Sequence, residues 1–421
     1  MDFFFILIVI SFLLGYVGII LEFWIRINKT AISLMLSGIC WVLYFLGGSH
    51  SMADKLSYLS GHLSDVSQIL FFLLGAMTLV EIIDSHKGFR LIVSIIRTQN
   101  KRQLFLFVSF VSFFLSAVLD NLTTTILMIS ILRKIIPDSH DRVLPNCMVV
   151  VAANAGGIWT PIGDVTTTML WIDHRISTFR VIQALFFPSL ISMIIPLLYF
   201  LPKLRGKYVS KDVAHGKEAF EPYGNFVFIC GMGALMSVPL IKWLTGMPPF
   251  MGMIIALSAL WLLTDIIHSR EESRSHLRVS FILKKVDVST VLFFLGILLA
   301  IDALEAIGIL RSITSGLYQI TNSPLLIATI IGILSACVDN VPLVAASIRM
   351  YNVDMYPMDA PFWLFIAFTS GFGGSLLSIG SSAGVALMGL EKVSFLRYFQ
   401  VTFLAAFLGY CAGILCCALF V

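Results

Sequence analysis

Apolar runs about as long as a bilayer is thick recur throughout the chain. They occupy 3–21, 31–48, 66–83, 180–201, 224–243, 249–267, 288–310 and 395–420, and at about 1.5 Å of helical rise per residue each can cross roughly 30 Å of hydrocarbon. With 58% hydrophobic residues, 12% charged residues and a mean hydropathy of +0.95, the chain lies outside the range of soluble domains. It reads as an all-α polytopic membrane protein. The opening "MDFFFILIVI" carries an acid where a secretory leader carries positive charge, so it is expected to be a retained first helix. The cysteines, among them Cys40, Cys147, Cys230 and Cys337, stand in apolar segments without CxxC spacing and read as small core residues.

Four further segments are not simple crossings. Stretches 103–136 and 324–349 are apolar but carry Asp-Asn pairs at 120–121 and 339–340, whereas 145–171 and 361–389 are interrupted by Gly, Pro, Thr and Ser. These segments belong to an internal repeat. "FFLLGAMTLVEIID" (71–84) pairs with "LFFLGILLAIDALE" (292–305), "LSAVLDN" (115–121) with "LSACVDN" (334–340), and "AGGIWTPIGD" (155–164) with "FGGSLLSIGS" (372–381), in the same order along the chain. The polar segment 203–222 links the copies, giving a first repeat over 1–202 and a second over 223–421. If 103–136 and 324–349 are re-entrant hairpins with the Asp-Asn pairs at their tips, each copy crosses five times and the second copy is inverted. The expected architecture is then about ten spanning helices, two hairpins and two broken helices (about 145–171 and 361–389). With the N-terminus outside, 22 of the 28 Lys and Arg fall on the cytoplasmic side, as the positive-inside bias requires. Treating the first hairpin as a single crossing would put the basic groups at 133–142 and 203–217 on the wrong side.

An acid within the bilayer costs roughly 2.5–3.5 kcal/mol on insertion scales and marks a functional position by default. Asp120 and Asp339 sit at the two tips, and Asp164 follows a Gly- and Pro-rich break whose irregular backbone needs protein or water around it. The second copy has serines at 375, 378, 381 and 382 at the corresponding break. The candidate set is Asp120, Asn121, Asn154, Asp164, Thr166, Thr167, Asp339, Asn340, Ser375 and Ser378, with Thr123, Thr124 and Ser335 in support. Almost all of these offer oxygen, the donor that hard cations prefer. No Lys or Arg is placed centrally in any span. Desolvation penalises an ionised carboxylate, so such a group holds either a proton or a small cation, which permits exchange by competition. Asp164, which has no acidic counterpart in the second copy, is the expected switch.

These same segments, "LSAVLDNLTTT", "LSACVDNVP", "AANAGGIWTPIGDVTTTMLW" and "GGSLLSIGSSAGVALMG", resemble the NhaD-type sodium/proton antiporters of the ion-transporter superfamily, which also holds arsenite and dicarboxylate carriers. The resemblance extends over about 66–395. It implies exchange of cytoplasmic Na+ or Li+ for external H+ across a bacterial inner membrane, with Na+ held at the polar positions named above. It also implies a homodimer in which a hairpin-bearing unit moves against a fixed scaffold.

Each feature has a plainer reading. A lone Asp-Asn is often a helix cap, Gly-Gly pairs at 156–157 and 373–374 often serve close packing, and threonines often bond their own helix. Glu81, Asp84, Asp302 and Glu305 lie near helix ends, where acids reach solvent, although their symmetry also fits a proton path. An anion carrier of the same superfamily is the nearest rival function, and several acids at one site argue against it. An intramembrane aspartyl protease is more remote, because a catalytic pair gives no purpose to symmetric tips. The eight histidines are expected in loops or at helix ends, which excludes intramembrane haem or HExxH zinc chemistry. The absence of GxxxxGK[ST] excludes direct nucleotide-driven pumping. No cofactor and no nucleic-acid partner is expected.

Overall fold

The computed structural model describes residues 3–47, 51–95, 98, 100–208, 223–269, 272–321, 323–337 and 339–420. Most of the linker, 209–222, lies outside the described residues. The described chain is helical, and eight of its helices are long and apolar enough to cross a membrane. In our numbering these are α1 (Phe3–Ile20), α2 (Lys29–Leu46), α3 (Met52–Ser85), α8 (Thr178–Phe200), α9 (Gly224–Thr245), α10 (Pro249–His268), α11 (Val288–Ala306) and α16 (Phe395–Phe420). They coincide with the eight apolar runs. Between them lie, among other helical pieces, α4 (Lys101–Ser116), α5 (Asn121–Ile135), α6 (Ser139–Ile158) and α7 (Val165–Ile172) in the first half, and α12 (Pro324–Cys337), α13 (Asn340–Met350), α14 (Pro361–Gly373) and α15 (Ser382–Glu391) in the second.

The first Asp-Asn pair marks a reversal of the chain. At its N-terminal end α4 places Lys101 3.0 Å from Asp141 in the first turn of α6, while Arg142 of the same turn donates to the carbonyls of Ile136 and Pro137, just past α5, at 2.7 and 2.8 Å. Both arms of the pair α4–α5 therefore begin and end beside the start of α6. Deeper in, Ser116 of α4 donates to the Ala153 carbonyl of α6 at 2.6 Å, so α4 and α6 run in parallel. Gly156 explains how closely: a Cβ there would collide with the Phe113 carbonyl of α4. In the second half α12 and α14 repeat this arrangement. Thr369 donates to the Ala328 carbonyl at 2.8 Å, and a Cβ on Gly373 would meet the Gly332 carbonyl. Gly156 and Gly373 thus let the hairpin arms pack against the broken helices, while Gly157 and Gly374 pack against their own breaks at Gly163 and Gly380, as the plainer reading of these pairs expects.

The halves interlock around these pieces. α15 packs on α5, and α7 packs on α13. α8 and α16 pack along each other and flank this centre, while α1, α2, α3, α9, α10 and α11 pack mainly among themselves and meet the centre where α11 touches α13 and α3 touches α7. Within that group α2 and α11 run in parallel, joined by Thr30 to Ser289 at 3.0 Å and by Trp41 to the Leu299 carbonyl at 2.9 Å. One expectation needs correction here. α3 continues well N-terminal of the apolar run 66–83, so His62 lies inside a helix, 8% exposed, and not in a loop. Its polar first half is held in part by Lys55, whose ammonium bonds the Phe45 and Gly47 carbonyls at the end of α2.

Candidate ion-binding site

Asp120 precedes α5 in extended backbone and caps it. Its Oδ1 accepts from the Thr123 amide at 2.8 Å and its Oδ2 from the Thr123 hydroxyl at 2.6 Å, the standard N-terminal solution for otherwise unpaired amides. The next residue faces inward. Asn121, 2% exposed, donates through Nδ2 to Asn154 Oδ1 at 3.1 Å and to Asp164 Oδ1 at 3.0 Å.

Asn154 lies one turn before the end of α6, where the Gly-rich run "AGGIWTPIGD" interrupts the helix. Its amide reaches across to the second half, donating to Ser375 Oγ at 2.9 Å and Ser381 Oγ at 3.1 Å. Asp164 stands at the N-cap position of α7 but makes no capping bond with its side chain. Its carboxylate, 3% exposed, instead accepts from Asn121 and from the Thr166 hydroxyl. Ser382, opening α15, donates to Asn121 Oδ1 at 3.4 Å. Asn121, Asn154, Asp164, Thr166, Ser375, Ser381 and Ser382 thus converge from a hairpin tip and two helix breaks.

Other predicted residues stand apart from this group. Ser378 donates to Met388 Sδ at 3.2 Å, and Ser335 to the Ser370 carbonyl at 2.9 Å, bracing its hairpin. Thr167 reaches only the Ile158 carbonyl, at 3.5 Å. Thr124 is buried, with no hydrogen-bond partner for its hydroxyl among the described residues. Asn340 is buried at the second tip. Asp339 caps α13, accepting from the Val341 amide at 3.2 Å, and also pairs with Lys29 Nζ at 3.6 Å. No Lys or Arg need stand centrally in a span for this: Lys29 opens α2 and extends its stem to the tip. Of the four helix-end acids, Asp84 is exposed and Glu81 half-buried. Asp302, contrary to the solvent-facing reading, is buried; it lies 2.9 Å from Arg349 Nε and 3.3 Å from His62 Nδ1, and Arg349 also pairs with Glu305 at 3.3 Å. Ser381, Ser382, Lys29, His62 and Arg349 were absent from the predicted set.

Two cavities open towards opposite ends of α11. One of about 80 Å³ is lined by Asp120, Asn121, Thr123, Met253, Thr290 and Ser382, near the start of that helix. The other, about 150 Å³, is lined by Asp65, Asp173, His174, Asp302 and Arg349, near its end. In the loop beside the second cavity, burial pushes the Asp173 carboxyl up, with the Arg175 guanidinium 2.7 Å away opposing the shift, and burial with Lys242 holds the His174 imidazole down. The polar crossing can hold a small hard cation: it offers one buried carboxylate with amide and hydroxyl oxygens from several elements, and Asp164 has neutral hydrogen-bond donors around it. A buried carboxylate without a countercharge must take up a cation or a proton.

A family model described as citrate transporter, CitMHS, matches residues 6–358 of the chain. Sodium/proton antiporter 1 of Arabidopsis thaliana is 48% identical over 95% of this chain and 70% of its own length, and sodium/proton antiporter 2 of the same plant is 46% identical over 96% of both. The Na(+)/H(+) antiporter NhaD of Alkalimonas amylolytica is 30% identical over 96% of this chain and 88% of its own.

Proposed function

The chain belongs to the citrate transporter family, CitMHS, and on that footing we propose that it is a secondary antiporter exchanging Na+ or Li+ for H+ at the Asp164 crossing. The observation that carries this reading is the buried Asp164 carboxylate, supplied by Asn121 and Thr166 with neutral donors and lying where both helix breaks meet. A cation and a proton compete for that charge, and only the loaded and neutralised forms cross the membrane without the cost of a bare buried carboxylate. The plant and bacterial relatives named as sodium/proton antiporters support the choice of ions.

In this reading the halves, 1–202 and 223–421, are inverted repeats with re-entrant hairpins at about 103–136 and 324–349. The hairpins, broken helices, α8 and α16 move as one unit against α1, α2, α3, α9, α10 and α11. The denser packing within each helix group than between them supports this division, and the distribution of basic residues supports an N-terminus outside. A homodimer in a bacterial inner membrane follows the same resemblance. Asn154, Ser375 and Ser381 then orient the site, Asp120 fixes the first tip, and Thr167, Asn340, Ser378, Thr123, Thr124 and Ser335 shape its surroundings.

Citrate carriage is the second reading, favoured by the description of the family model. A buried carboxylate at the crossing would repel a multiply charged anion. Purified protein in liposomes separates the two: the antiport reading requires proton release on addition of Na+ or Li+, and it fails if these ions are silent while labelled citrate accumulates.

A further inference from the structure

The two tip acids come from matching sequences, yet they are satisfied differently, and the third residue after each accounts for it. After Asp120 that residue is Thr123, whose amide and hydroxyl occupy both carboxylate oxygens. After Asp339 it is Pro342, which has neither an amide hydrogen nor a hydroxyl. Asp339 Oδ1 therefore takes the Val341 amide at 3.2 Å, and Oδ2 has no donor from its own helix. Lys29 Nζ, from the first turn of α2, lies 3.6 Å from that oxygen. The lysine is held there: its backbone amide donates to Glu22 Oε1 at 3.0 Å, and its ammonium lies 4.3 Å from the centre of the Phe293 ring of α11. The first tip has no equivalent cation among the residues lining its cavity, and the repeat pairings, offset by 217 to 221 residues, carry Lys29 into 246–250, "GMPPF", which holds no basic residue.

We infer that Lys29 is a tethered counter-ion for Asp339, and that a transported cation gains Asp339 only by displacing it. Lys29 is thereby a positioning and selectivity residue of the antiport reading, on which this inference rests. It belongs to the α2–α11 group and Asp339 to a hairpin tip, so the pair holds the two groups together when Asp339 carries no transported ion. A small monovalent cation competes with the ammonium for one oxygen. A proton on Asp339 breaks the pair equally.

The test compares wild type, Lys29→Gln, Lys29→Arg, Asp339→Asn and the Lys29→Gln/Asp339→Asn double variant in proteoliposomes, reading Na+-driven proton flux at one fixed alkaline pH. Because both side chains are partly exposed, 27% and 21%, the expected change is modest: Lys29→Gln lowers the Na+ KM by about fivefold, the upper end for such pairs, while Lys29→Arg stays near wild type. Against Asp339→Asn the same substitution changes nothing further. An unchanged or raised KM in Lys29→Gln, or an undiminished shift in the Asp339→Asn background, overturns the inference. A second measurement needs no variant: in wild-type protein, Na+ speeds acylation of Lys29 by an amine-reactive reagent relative to choline, read by mass spectrometry, and equal rates overturn the inference. If wild type exchanges no protons for Na+, it is the antiport reading that fails, and the acylation rates still report on the pair.

Discussion

Replacing Asp164 with Asn removes one charge and almost no volume from a side chain that is 3% exposed. The amide oxygen can still accept from Asn121 Nδ2, now 3.0 Å from Oδ1. The new NH2 meets the Thr166 hydroxyl, which turns from donor to acceptor, so the fold loses only about 1 kcal/mol. Transport is affected far more. The groups hydrogen-bonded to Asp164 are neutral donors, so a cation in the altered site has no countercharge at contact distance. Removing one partner of a buried ion pair costs about 3–5 kcal/mol, and at about 1.36 kcal/mol per decade the Na+ specificity constant should fall by roughly two to four orders of magnitude. The assay is proton flux from proteoliposomes over a Na+ titration, with a thermal melt of the same preparation to show that the variant is folded. Exchange within a few-fold of wild type in folded protein would refute the assignment of Asp164.

Asn154→Ala removes donors to Ser375 and Ser381 and an acceptor for Asn121; at about 1–3 kcal/mol for each buried group left unpaired, both the melting temperature and the exchange rate should drop, and a wild-type melt with full exchange would contradict the linking role. Gly156→Ala drives a methyl into the Phe113 carbonyl, so overpacking of about 1–3 kcal/mol should lower the melting temperature and displace the first tip; a variant that melts with wild type shows that α4 and α6 can separate freely. Glu391→Gln weakens the bridge from α15 to Arg133 and Arg142, and because Arg133 is 43% exposed the loss should be about 1–2 kcal/mol, below that of a fully buried pair. Urea or heat unfolding in detergent measures it, and no change means that the bridge is only a surface contact.

Much of this architecture can be read from residue order because membrane folds leave strong traces there. Apolar length marks the eight long helices, and the paired "DN" tips and "GG" breaks mark the shorter ones. Asn121, Asn154, Asp164, Thr166 and Ser375 come together for the reason the sequence offers: polar side chains at helix breaks in apolar surroundings have few alternatives. What escaped depends on direction. Between Gly374 and Ser381 the backbone is not helical, so periodicity cannot decide which serines face Asn154; the structure turns Ser375 and Ser381 towards it and Ser378 towards Met388. Asp120 shows the opposite limit, since the same "DN" that signals a functional tip also encodes a cap, and the cap uses both its oxygens. Lys29 escaped because a basic residue at a helix start reads as a loop charge, and its reach to Asp339 depends on a long flexible stem. His62 and Arg349 meet Asp302 from helices far apart in sequence, a juxtaposition that spacing along the chain does not encode.

The central claim is that cations and protons compete for the membrane-embedded Asp164 carboxylate. Its most direct measurement is dequenching of a pH-sensitive dye in energised inverted vesicles carrying the wild-type chain, on separate addition of Na+, Li+, K+ and citrate. The account predicts rapid dequenching with Na+ or Li+ and none with citrate. A flat trace with Na+ and Li+, together with proton movement on adding citrate, would contradict it.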